Sequence, residues 1–110
     1  MLTNELPTVA SRLDVVNRLG RAMADPSRSR ILLSLLDQPG YPARLAVELD
    51  LTRSNVSNHL SCLRGCGLVV ATYQGRQVRY ELADQHLKRA ISELVDVVLA
   101  VEPGPDCADE

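Results

Sequence analysis

Cys62 and Cys66 stand four residues apart in the run SNVSNHLSCLRGCG, residues 54–67. On an α-helix that spacing puts two thiols one turn apart on one face, about 40° from each other around the axis. Thiolates so placed can share one thiophilic ion, whereas the helix holds the side chains parallel and works against a disulfide between them. The third thiol, Cys107, lies in a polar, acidic stretch. Residues 102–106 lead to it and reach roughly 17 Å when extended. A three-sulfur site of Cys62, Cys66 and Cys107 is therefore expected. Three thiolates without a carboxylate favour soft ions such as Cd(II) and Pb(II), while Zn(II) more often takes four ligands. His59, three residues before Cys62, has two readings: a fourth ligand for Zn(II), or a packing or backbone-bonded histidine.

The first half of the same run has a different chemistry. Val56, Leu60 and Leu63 recur at helical spacing and face one way, while Ser54, Asn55, Ser57, Asn58 and Ser61 face elsewhere. Short amides and hydroxyls near a helix N-terminus suit DNA base edges and phosphates, and Asn can pair bidentately with adenine. Arg53, Arg76 and Arg79 are the candidate phosphate contacts, Arg76 reaching a minor groove. The bland alternative is the solvated face that any surface helix carries.

These residues need elements to position them. Val9, Leu13, Val16, Gly20 and Met23 form a first helical stripe after a frayed stretch, residues 1–8. In ADPSRSRILLSLL, Asp25 is a helix N-cap, Pro26 takes the first helical position, and Ile31, Leu32, Leu35 and Leu36 face inward. DQPGY is a turn. PARLAVEL is a short helix with Leu45, Ala46 and Leu49 inward, DLT is a tight link, and Thr52 caps the helix of the opening run. Gly67 is the expected left-handed residue at that helix's end. LVVAT and VRYEL form a hairpin through YQGRQ, with Gly75 and Arg76 at its tip. Asp84 caps a last helix over residues 85–102, which Pro103 and Pro105 terminate.

A short helix, a tight link, a polar-faced helix and a hairpin make a winged helix-turn-helix: mostly α with a β-hairpin wing. A helical bundle with an incidental hairpin is the competing fold. The body is residues 1–101, and residues 102–110 form an acidic, metal-binding tail. The last helix carries apolar residues from Leu87 to Val101 over more than half its circumference. One domain buries a single stripe, so this excess predicts a homodimer, whose two-fold axis would match a palindromic operator.

The 110 residues are 45% hydrophobic, with no Phe and no Trp, so the core must be aliphatic. The net charge of −2 argues against DNA only superficially, because all 12 basic residues precede residue 102 and four of the 14 acidic ones follow residue 101. The body is thus net positive. No apolar run is long enough for a membrane span, and MLTNELPTVA lacks the pattern of a signal peptide. A cytoplasmic protein is expected, where thiols stay free, ligating or redox-active. A catalytic reading fails on its parts: His59 has no orienting third group, and there is neither a Gly-rich phosphate loop nor HExxH. A redox switch, with Cys107 oxidising onto Cys62 or Cys66, is the functional alternative on the same fold.

ADPSRSRILLSLL, LAVELDLTRSNVSNHLSCLRGCGLV and GRQVRYELAD together resemble the ArsR/SmtB family of metal-sensing repressors. The cysteine placement resembles its cadmium/lead-sensing members, over nearly the whole chain. The resemblance implies a homodimeric winged-helix repressor that leaves operator DNA on binding Cd(II) or Pb(II). It implies ligation by Cys62 and Cys66 of one protomer and Cys107 of the other. Two sites of other family members are missing. The ARLAVEL helix has no cysteine, and a site on the last helix, begun by Asp84 and His86, would need a histidine where Val97 stands. Asn4 occupies the place of a cysteine found near the N-terminus of the cadmium/lead type.

Overall fold

The computed structural model describes residues 9–98. Five helices and one hairpin follow in the order α1 (Val9–Met23), α2 (Pro26–Asp37), α3 (Pro42–Leu49), α4 (Arg53–Gly65), β1 (Val69–Gln74), β2 (Gln77–Leu82) and α5 (Gln85–Val95). None of the described helices is long and apolar enough to cross a membrane.

Local chemistry sets the boundaries. Asp25 Oδ2 accepts the Arg28 N–H at 2.9 Å, Thr52 Oγ1 accepts the Asn55 N–H at 3.0 Å, and Asp84 Oδ1 accepts the Leu87 N–H at 2.8 Å. Each side chain satisfies one of the donors that a helix start leaves unpaired. Between α3 and α4 the chain reverses on Asp50, whose φ of 55° is left-handed. Asp tolerates that region better than most side chains. The Leu51 N–H bonds to Ala46 O at 2.9 Å, which closes the turn of the helix-turn-helix.

The core is aliphatic throughout. Ile31 and Leu32 of α2, Leu45 of α3, Val56, Leu60 and Leu63 of α4, and Val69 of β1 are its largest fully buried side chains. Each contributes about 1.5–3 kcal/mol by leaving water. Leu35, Leu68 and Ile91 close the cluster, and Tyr80 and Leu82 pack at its margin.

The structure revises four sequence expectations. The strands run further into YQGRQ than expected, and a two-residue turn, Gly75–Arg76, joins them. Gly75 has a φ of 61° and Arg76 is not left-handed, the pattern of a type II′ hairpin turn. DQPGY is more than a turn, because Gly40 pairs with Tyr80 through N–H···O bonds of 2.9 and 2.8 Å and adds a bridge beside β2. The first stripe lies mostly in solvent: Leu13 and Val16 are exposed, while Leu19, Ala22 and Met23 meet the core. Finally, α5 stops at Val95, with Asp96 as its C-cap, rather than running to residue 102. Val97 and Val98 are exposed, and a β-branched residue without packing adds little to a helix. Residues 1–8, including Asn4, and residues 99–110, including Leu99, Val101, Pro103, Pro105 and Cys107, lie outside the described residues.

Gly40 is fixed by space. A Cβ there would stand 2.8 Å from Leu35 Cδ2 and 2.9 Å from Leu45 Cδ1. Both leucines are buried and cannot swing away. Gly40→Ala is therefore expected to destabilise the fold by about 1–3 kcal/mol through overpacking. Urea unfolding measures this, and an unchanged midpoint would show that the core yields at this point.

Candidate metal centre and nucleic-acid interface

α4 carries both candidate functions. Val56, Leu60 and Leu63 are completely buried, and this one stripe fixes the helix to the body. Arg53, Ser54, Asn55, Ser57, Asn58 and Ser61 are all exposed on its other faces. The six residues expected to meet DNA thus form one continuous solvent-facing surface toward the helix N-terminus.

The other end is tied off by glycine. Gly67 has a φ of 82°, its N–H bonds to Arg64 O at 3.0 Å, and the Leu68 N–H bonds to Leu63 O at 3.0 Å. This pair of bonds is the Schellman motif, with Leu63 and Leu68 as its buried apolar contact. Cys66 is the C-cap in helical conformation, and its N–H bonds to Cys62 O at 3.1 Å. The two cysteines are therefore one helical turn apart, as their spacing requires. Cys62 is exposed and Cys66 is half-buried against the core, and both are free thiols. Arg18 of α1 reaches the Cys66 carbonyl oxygen at 3.5 Å while pairing with Asp14 at 3.0 Å.

No group of three His, Cys, Asp or Glu side chains suited to a metal ion occurs among the described residues. Cys62 and Cys66 supply two soft donors, and Cys107 lies outside the described residues. His59 turns toward α2, with Nε2 3.9 Å from Asp25 Oδ2.

Asp25 thus serves two partners. The hydrogen bond from the Arg28 N–H holds its carboxyl below the ordinary aspartate range; desolvation opposes this, and charge attraction from His59 and then Arg28 adds to it. No feature of the sequence pairs Asp25 with His59, which lie 34 positions apart.

The wing separates its arginines. Arg76 is exposed in the turn. Arg79 is half-buried on β2 and pairs with Glu81 at 2.9 Å. The Glu81 hydrogen bond, and more weakly Tyr41, raises the Arg79 pKa above its usual value. Arg79 therefore already has a carboxylate partner within β2. Tyr41 escaped the sequence reading as well. It occupies the N-cap position of α3 without making a cap bond. A tyrosine at a position that favours Ser, Thr, Asp or Asn was the signal that its side chain works elsewhere.

The profile of the bacterial regulatory protein arsR family matches residues 25–70, from the Asp25 cap into β1. The HTH-type transcriptional regulator CmtR of Mycobacterium tuberculosis (strain ATCC 25618 / H37Rv) is 64% identical over 110 residues, covering 100% of this chain and 89% of its own. The chain belongs to the ArsR family. Among solved structures, the NMR structure of the cadmium metal-sensor CMTR from Mycobacterium tuberculosis is 74% identical, with a TM-score of 0.64, over 78% of this chain and 90% of that one. The homodimeric winged helix-turn-helix domain Mb0332 from Mycobacterium bovis is 25% identical, with a TM-score of 0.75, over 86% of this chain and 88% of that one. The ArsR-family protein is a DNA-binding transcriptional regulator, not an enzyme, and its fold is the winged helix-turn-helix read from the sequence.

The Asp25 carboxylate gives a pH test. Because its pKa is lowered by folding, the stability it contributes is fully present above the ordinary value of about 3.9 and is lost as pH falls through the folded value. Asp25→Asn keeps a capping oxygen and removes the titration. In urea unfolding, the wild-type chain is expected to exceed this variant in stability at pH 6 and to lose that advantage progressively as pH falls below about 3.9. A gap that stays constant over this range would show that the charge contributes nothing.

Proposed function

We propose that this protein is a metal-responsive transcriptional repressor. It binds operator DNA as a homodimer and releases it on taking up Cd(II) or Pb(II) through Cys62, Cys66 and Cys107. The carrying observation is that a single helix, seated by a single buried stripe, presents the polar surface at one end and two thiols at the other. The identity to CmtR over the whole chain supports the same reading.

The donor set fits the ion class. Cys62 is open to solvent, Cys66 is half-sheltered, and no carboxylate is needed among the ligands. Soft thiolates select thiophilic ions over hard ones. The 102–110 tail supplies the third thiolate, and the family resemblance implies that it comes from the second protomer. A bound ion would join the end of α4 to this tail. Its ligation displaces thiol protons, so uptake weakens as pH falls.

On the DNA side, Ser54, Asn55, Ser57, Asn58 and Ser61 face base edges, and Arg53 and Arg76 meet phosphates. Arg79 joins them only by giving up part of its pairing with Glu81. The dimer surface is the apolar face left open by α1 and the end of α5. Leu13, Val15, Val16, Leu94, Val95, Val97 and Val98 are all exposed there. An apolar cleft of about 310 Å³ lies between the two helices, lined in part by Val15, Leu19, Leu87 and Ala90. Dimerisation would set two copies of α4 at the spacing of successive major grooves, about 34 Å.

Tying down the end of α4 disfavours the DNA-binding arrangement, so ion and operator oppose each other. Linkage makes the effect reciprocal, and a coupling of about 3 kcal/mol changes operator affinity roughly 150-fold.

The test is a Cd(II) titration of the reduced protein. Thiolate-to-metal ultraviolet absorption and binding to a DNA duplex, selected from a random pool by the wild-type protein, are read in the same samples. Saturation at one ion per protomer with loss of DNA is expected, and Cys107→Ser should abolish metal-driven release. Full release in that variant would overturn the three-thiolate site. Release by peroxide without metal, with intermolecular disulfides on a non-reducing gel, would establish the redox alternative instead. Operator affinity should also fall steeply with salt, and a slope near zero would remove the arginine–phosphate contacts.

A further inference from the structure

A two-stranded hairpin is marginally stable on its own, so the aim of the wing depends on what fastens it to the body. The Gly40–Tyr80 bridge fastens β2 near the middle of the strand. The tip lies three residues further on, about 10 Å away. Val69 and Leu82 pack the base of the hairpin into the core, and the length beyond the bridge is left to pivot.

A second attachment lies at the tip. The Tyr41 hydroxyl donates to Gln74 Oε1 at 3.1 Å. Gln74 ends β1, pairs with Gln77, and immediately precedes the Gly75–Arg76 turn. The tyrosine is itself held. The Arg44 guanidinium lies over its ring, 5.2 Å from the centroid. Arg44 is anchored in turn by the Pro39 carbonyl oxygen and by Glu48 at 3.5 Å. Tyr41 also stands immediately before Pro42, the first residue of the helix preceding α4. The chain Glu48–Arg44–Tyr41–Gln74 thus runs from the helix-turn-helix to the wing tip.

We infer that Tyr41 is a positioning residue for DNA binding, its hydroxyl on Gln74 holding the wing tip, and with it Arg76, at a fixed place relative to α4. This rests on the proposed DNA-binding role of α4 and the wing. Tyr41 need not touch DNA. With its base in the core, the bridge at Gly40 and the bond at Gln74, the hairpin is held along its length, and Arg76 meets the duplex already placed.

The test is a double-mutant cycle on the full-length protein, with the same selected duplex read by fluorescence anisotropy across a salt series. Tyr41→Phe keeps the ring under Arg44 and removes the hydroxyl, with its bond to Gln74 and its weaker interaction with Arg79, and Gln74→Ala separates the two. Arg76→Ala is expected to weaken binding about fivefold and to lower the salt slope by about one contact. Tyr41→Phe should weaken binding about two- to fourfold, the scale of one net hydrogen bond, with part of the same slope change and an unchanged thermal midpoint. In the double variant the second change should add less than about 1.5-fold, because both act through one contact. Gln74→Ala, at an exposed position outside the core, should reproduce the Tyr41→Phe loss and decides the matter if that variant lowers the thermal midpoint. Wild-type binding by Tyr41→Phe and Gln74→Ala, or losses that multiply fully with Arg76→Ala, would overturn the inference and leave the DNA-binding role standing. An Arg76→Ala protein that binds as wild type would overturn both this inference and the wing contact in the proposed function.

Discussion

The seating of α4 is the constraint on which the other features depend. Val56, Leu60 and Leu63 occupy the centre of the core, and no other residue of the helix is fully buried. Apart from His59, which faces Asp25, the rest of it is exposed. The seat is apolar and non-directional, so it resists withdrawal of the helix better than small rotations about its axis. Directional bonds therefore collect at the ends: Thr52 at the start and the Gly67 motif at the finish.

A helix held in this way transmits force between its ends. Its backbone bonds continue without a break from Arg53 to the Cys66 C-cap. A displacement imposed at the cysteines has no soft element to absorb it before it reaches the polar face. Arg18 adds a lateral strut from α1 to the Cys66 carbonyl. The same turn thereby touches the helix that bears part of the exposed apolar face. The proposed dimer surface and the proposed metal ligands are thus structural neighbours rather than separate devices.

The sequence made most of this legible because its signals are local. The caps at Asp25, Thr52 and Asp84, the left-handed Gly67 and the spacing of Val56, Leu60 and Leu63 depend only on neighbours within a turn or two. What escaped it depends on distant partners. The Gly40–Tyr80 bridge, the Tyr41–Gln74 bond and the Asp25–His59 contact each join segments more than 30 positions apart. Nothing in the composition of either segment announces the other. The end of α5 was misjudged for a related reason. Apolar periodicity runs on through Val97 and Val98, but a periodic run becomes helix only where a surface receives it. Spacing put Cys62 and Cys66 one turn apart on α4; the carboxylate facing His59 comes from a distant segment, while the one pairing with Arg79 stands two residues along its own strand.

The hairpin turn carries a geometric consequence. Two residues, Gly75 and Arg76, join strands whose side chains alternate faces. Lengthening each strand by one residue would advance the tip by about 3.4 Å but turn it to the opposite face of the sheet. Only a gain of two residues in each strand preserves the face, an advance of about 7 Å. That step is close to two base pairs along a duplex, about 3.4 Å each. The reach of this wing is accordingly quantised: any change that keeps the tip on the same face must come in whole pleats, not in single residues.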